Sequence, residues 1–89
     1  MEMPGRITGD WMDTLPDDAL LDVESTLYAT FAELDRAERA ARGARYELTR
    51  GPEALMAAWD RWSRVSTETR RRGMQPRRRA VHQAAQVQQ

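Results

Sequence analysis

Eighty-nine residues without a cysteine allow one small domain at most and leave no disulfide, thiolate metal site or thiol redox chemistry to hold or use it. The formal charge is zero but divided: residues 1–50 carry eleven acids against six arginines, a net of −5, and residues 51–89 carry three acids against eight arginines, a net of +5. No apolar run approaches the ~20 residues that span a bilayer, and the first residues lack the basic start and apolar middle of a signal peptide, so a soluble, cytoplasmic protein is expected.

Residues 1–13, with Pro4, Gly5 and Gly9 and little periodicity, read as an irregular, flexible arm. Thr14 is placed to cap a first helix, with Asp17 three positions on and Pro16 in the first turn, where its missing N–H costs little. Asp17, Asp18, Asp22 and Glu24 then put negative charge at the positive end of the helix dipole, which explains them without catalysis. Leu15 is read as a staple onto the helix start, in preference to a docking segment built from Asp10, Trp11, Met12 and Asp13.

Leu20, Val23, Leu27, Phe31 and Leu34 recur at helical spacing, flanked by Leu21 and Tyr28, and Ala37, Ala41 and Ala44 continue the same face. Leu20, Leu27, Leu34, Ala41 and Leu48 fall seven apart, a coiled-coil-like seam. Asp35 with Arg39 and Glu38 with Arg42 support the solvated face at i,i+4 spacing. Gly43 interrupts the pattern and Leu48 resumes it, so helix 1 spans about 15–49 or ends near 42; the longer span is preferred. Gly51-Pro52 is the clearest break.

Helix 2 is expected over about 52–72, with an apolar stripe of Leu55, Met56, Trp59, Trp62 and Val65, and with Gly73 as its stop. Trp59 and Trp62 are read as hairpin core, facing the alanines of helix 1, rather than as an aromatic platform. Residues 74–89, basic and then rich in glutamine and alanine, read as a flexible tail.

The expected fold is therefore all-α: an antiparallel two-helix hairpin over 14–73 joined by a tight turn. A helix 1 of up to ~50 Å outruns a helix 2 of ~31 Å and leaves Leu20, Leu21, Val23, Leu27, Tyr28 and Phe31 uncovered. Those six residues are the expected protein interface. A second hairpin, making a dimeric four-helix bundle, covers it first in preference, another protein second, and the arm with Trp11, Met12 and Leu15 third.

Nothing in the chain points to an enzyme. His82 has no second histidine or cysteine to share a metal, and the five glycines are too scattered for a phosphate loop, so no metal, cofactor or small-molecule substrate is expected. The sharpest charged feature is Arg70, Arg71, Arg72, Arg77, Arg78 and Arg79. It reads equally as a sequence-independent contact to a nucleic-acid backbone and as a solubilising tail or counterweight to the acidic first half. The sequence thus predicts a non-catalytic accessory or regulatory protein acting through helix faces, with a nucleic-acid-associated regulator as the alternative.

Overall fold

A computed structural model describes residues 3–47 and 51–77. Among these residues every regular element is helical: α1, Gly9–Asp13; α2, Asp17–Arg42; a 3₁₀ turn, Gly43–Arg45; and α3, Glu53–Arg71. α2 and α3 pack together as a hairpin. No helix among the described residues is long and apolar enough to cross a membrane.

The arm is not irregular throughout. Thr8 accepts the Trp11 N–H on its hydroxyl at 3.2 Å, capping the short α1. Thr14 closes that helix, donating its hydroxyl to the Trp11 carbonyl at 2.6 Å, and so is not the cap of the long helix. Pro16 holds that position instead, in extended conformation and with no side-chain hydrogen bond, while Asp17 and Asp18 meet the positive end of α2.

α2 ends at Arg42, and the longer span to residue 49 is not what forms. Gly43 turns to φ 54°, a left-handed conformation that lets the chain leave the helix and that a side chain would disfavour. Leu48, whose spacing suggested continuation, lies outside the described residues. The piece after the glycine is tied back to α2: Tyr46 donates its hydroxyl to Asp35, and Arg39 lies over the Tyr46 ring at 4.0 Å. The Tyr46 hydroxyl, and after it Arg39, hold the Asp35 carboxyl below the usual carboxylate range.

α3 also ends at a glycine. Gly73 takes φ 75°, the Met74 N–H reaches back to the Thr69 carbonyl and the Gly73 N–H to Arg70, both at 3.0 Å. That is the paired hydrogen-bond pattern of a glycine-terminated helix, and Met74 adds the usual apolar contact by packing against the core.

The early stop at Gly43 changes the register. With some ten residues between the helices, α3 lies beside the N-terminal part of α2: Ala54, Ala57 and Ala58 share a cleft with Thr26, Leu27, Thr30 and Leu34. Ala37, Ala41 and Ala44, expected to receive the tryptophans, are exposed. The seven-residue seam is buried at Leu20 and Leu27, half-buried at Leu34 and exposed at Ala41, which marks where α3 ceases to cover α2.

The core sits at the arm end of the hairpin. One cluster joins Ile7, Met12 and Leu15 to Leu20, Val23 and Leu27 of α2 and Val65 of α3. Removing an aliphatic side chain of this size from water is worth ~1.5–3 kcal/mol, so the three arm residues are a substantial share of a small core. Polar bonds fix the arm as well: Arg61 donates to the Pro4 carbonyl, and Arg72 to the carbonyls of Met12 and Leu15, each at 3.0 Å.

Candidate protein interface

Three of the six residues expected to face a partner are enclosed within the single chain. Leu20 is 0% exposed, and Val23 and Leu27 are buried beside it, so these three do not form an open surface. Their cover is the arm, which ranked third in the sequence reading. Ile7, Met12 and Leu15 supply enough apolar bulk to close the stretch because α1 coils the arm back over it. Leu21, Tyr28 and Phe31 are half-buried.

Tyr28 and Phe31 belong to an aromatic cluster centred on α3. The Trp62 ring stacks on Phe31, with centroids 5.4 Å apart and planes 9° from parallel, and meets Tyr28 edge-on at 5.4 Å and 61°. Beneath them, the fully buried Glu24 accepts the Trp62 indole N–H at 3.0 Å. That bond fixes the ring's orientation as packing alone would not, since a buried indole N–H needs a partner.

Trp59 does not join this core. It is 41% exposed, and Met56 42%, the two large apolar side chains most open to water among the described residues. The inward stripe runs through Leu55, Ala58, Trp62, Val65 and Thr69 at steps of three and four; Met56 and Trp59 lie ~100° round the helix from Leu55 and Ala58. Sequence reading chose the bulkier residues over Ala58 and Thr69, whose small size and hydroxyl conceal that they face inward. Thr69 satisfies its hydroxyl locally, donating to the Ser66 carbonyl at 2.8 Å.

The two long sides of the hairpin therefore differ. On one, Met3 of the arm lines the cleft with Thr30, Leu34, Ala57 and Arg61. On the other, Tyr28, Trp62, Ser66 and Arg70 line a cleft of about 400 Å³, closed at one end by Met74, Gln75 and Pro76. Among the described residues, none of the arm lines this second cleft. Trp59 precedes Ser66 by seven residues and Arg70 by eleven, spacings that put all three on one ridge of α3.

Of the six arginines that suggested nucleic-acid contact, four are described, and three of these are engaged within the chain. Arg71 and Arg72 both pair with Glu68, at 2.6 and 2.9 Å, and Arg72 also pairs with Asp17 at 3.0 Å. The guanidinium of Arg71, then that of Arg72, holds the Glu68 carboxyl at about 2. Arg77 pairs with Asp22 and, at 3.5 Å, with Asp18. Through Arg72 and Arg77, the basic second half of the chain neutralises the acids at the start of α2. Arg70 is exposed and makes no ion pair among the described residues. Arg78, Arg79 and His82 lie outside the described residues.

Among the described residues, no group of three or more histidines, cysteines or acids is arranged to hold a metal. Comparison with protein-family models, with curated proteins and with solved structures finds no match to the chain.

Proposed function

We propose that the chain is a non-catalytic accessory or regulatory protein that works by holding another protein against the aromatic side of its hairpin. The observation that carries this reading is the exposure of Met56 and Trp59 beside the packed Tyr28, Phe31 and Trp62. Contiguous apolar surface rimmed by polar groups costs solubility unless a partner covers it. Tryptophan, tyrosine and arginine are also the side chains that anchor protein contacts most strongly. The cluster stands on two packed helices, so little ordering entropy opposes binding.

Both a second hairpin, giving a four-helix bundle, and a different protein fall within this reading. The reading assigns no reaction to the chain, because aromatic, methionine and arginine side chains dominate the open cleft and no acid–base pair faces it. It places the protein in the cytoplasm, where a chain without cysteine needs no oxidative folding.

A photo-reactive phenylalanine analogue at Ser63, on the rim of this side, tests the reading in the native host. It is expected to cross-link to protein, while the same analogue at Glu33, on the far polar face of α2, is not. Absence of any cross-link from position 63 contradicts the reading.

A further inference from the structure

The open side of α3 carries an exposed indole, a cleft and exposed charges of both signs. From this we infer that the protein bound there is a second copy of this chain, each copy seating its Trp59 at the Arg70 end of the other's cleft. The inference rests on the reading above and names its partner.

The shape argument begins with a projection and a recess on one ridge. Trp59 stands out of the surface at 41% exposure, and the cleft of about 400 Å³ opens roughly 10–16 Å further along the same helix. The cleft is large enough for an indole. Tyr28, Trp62 and Arg70 are among its lining residues, and an arginine is a favourable neighbour for an incoming aromatic ring. A projection and its fitting recess on the same molecule make a closed pair when a two-fold axis relates them, since each contact then occurs twice.

The charge argument fixes the direction. Running the two α3 helices antiparallel, with the axis level with Val65, sets residues that sum to the same position opposite each other. Asp60 then faces Arg70, and Ser63 faces Thr67. Acid meets base, and hydroxyl meets hydroxyl at the crossing, where short side chains let the helices approach. Trp59 comes level with the far end of the other copy's cleft. A parallel arrangement would instead set Asp60 near Asp60 and Arg70 near Arg70, like charge against like. Asp60 pairs with Arg64 on its own helix at 2.9 Å but is half exposed, and Arg70 is exposed, so a second copy reaches both.

Sedimentation equilibrium of the purified full chain from about 1 to about 300 μM tests the inference. The mass is expected to rise toward twice that of the monomer. Trp59→Ala, as a central anchor, is expected to weaken dimerisation about tenfold or more. Asp60→Arg is expected to weaken it too, by bringing two cations together, and the double variant Asp60→Arg with Arg70→Asp to restore it. That restoration comes from a pair across two chains and not from a merely structural role. Circular dichroism checks each variant's fold, and the charge variants carry the test if Trp59→Ala does not fold. A monomer at every concentration overturns the second copy, as does a dimer indifferent to both Trp59→Ala and Asp60→Arg. The cross-link from Ser63 separates the two claims: an adduct to a different protein from a chain that is monomeric leaves the interaction reading standing and removes only self-association.

Discussion

The two sides of the hairpin are built from the same pair of helices and finished differently. On one side the arm brings Ile7, Met12 and Leu15 onto Leu20, Leu27 and Val65, and Arg61 and Arg72 fasten its carbonyls. On the other side Trp59 and Met56 meet water, and the aromatic cluster is held from beneath by Glu24. A pair of helices this short needs a third layer to close a core, and the described residues supply that layer on one side. The side left over is where binding surface becomes available without loss of the fold.

The comparison breaks most readily at its buried side. Ile7→Ala removes a side chain that is 2% exposed, and its expected cost is about 2–5 kcal/mol in urea unfolding. Trp59→Ala, measured where the chain is monomeric, is expected to cost less than about 1 kcal/mol despite removing the larger group. Equal costs would mean that the arm is not part of the core.

Arg72→Ala comes next, at about 1–3 kcal/mol, because it leaves the Met12 and Leu15 carbonyls and the buried Glu68 without a donor they now share. The loss should appear as faster hydrogen exchange in residues 9–15 than in α3.

Acid sharpens the same contact. The Glu68 carboxyl titrates at about 2 when folded against an ordinary 4.5, so the folded state binds fewer protons over that interval. Its contribution is complete above pH 4.5 and is lost as pH falls through about 2. A Glu68→Gln variant is therefore expected to show a shallower fall in stability across that window, read by thermal melts at a series of pH values. The smallest effect is expected from Thr8→Ala, about 0.5–1 kcal/mol, through the cap of the short α1.

How much of this was legible in the sequence follows from the range of each signal. The helical stripe of α2, the Pro52 that caps the start of α3 and the Gly73 that follows its end are local signals, each carried by periodicity or backbone preference. Gly43 was visible as a break, but the resumption of apolar spacing at Leu48 argued against it, and backbone conformation decided the matter. That single stop shifted the register and moved the covered part of α2 from its alanines to its leucines. The arm was missed because three apolar residues spread over Ile7, Met12 and Leu15 are too few to show a period. Its capping by Thr8 is a signal the sequence does contain. The role of Arg72 spans 55 to 60 residues of chain, from Asp17 to Met12, and no local pattern announces such a bond.

The account depends on one side of the hairpin being closed by the arm and the other open, and the absence of native cysteine makes this directly measurable. Single-cysteine variants Ile7→Cys and Met56→Cys, treated with a thiol reagent at protein concentrations below any dimerisation, report the two sides separately. The account predicts that the thiol at position 56 reacts nearly as fast as in an unfolded peptide, while the thiol at position 7 reacts only as fast as the arm opens, slower by about a hundredfold or more. Equal rates at the two positions, or protection at 56 with freedom at 7, would contradict it.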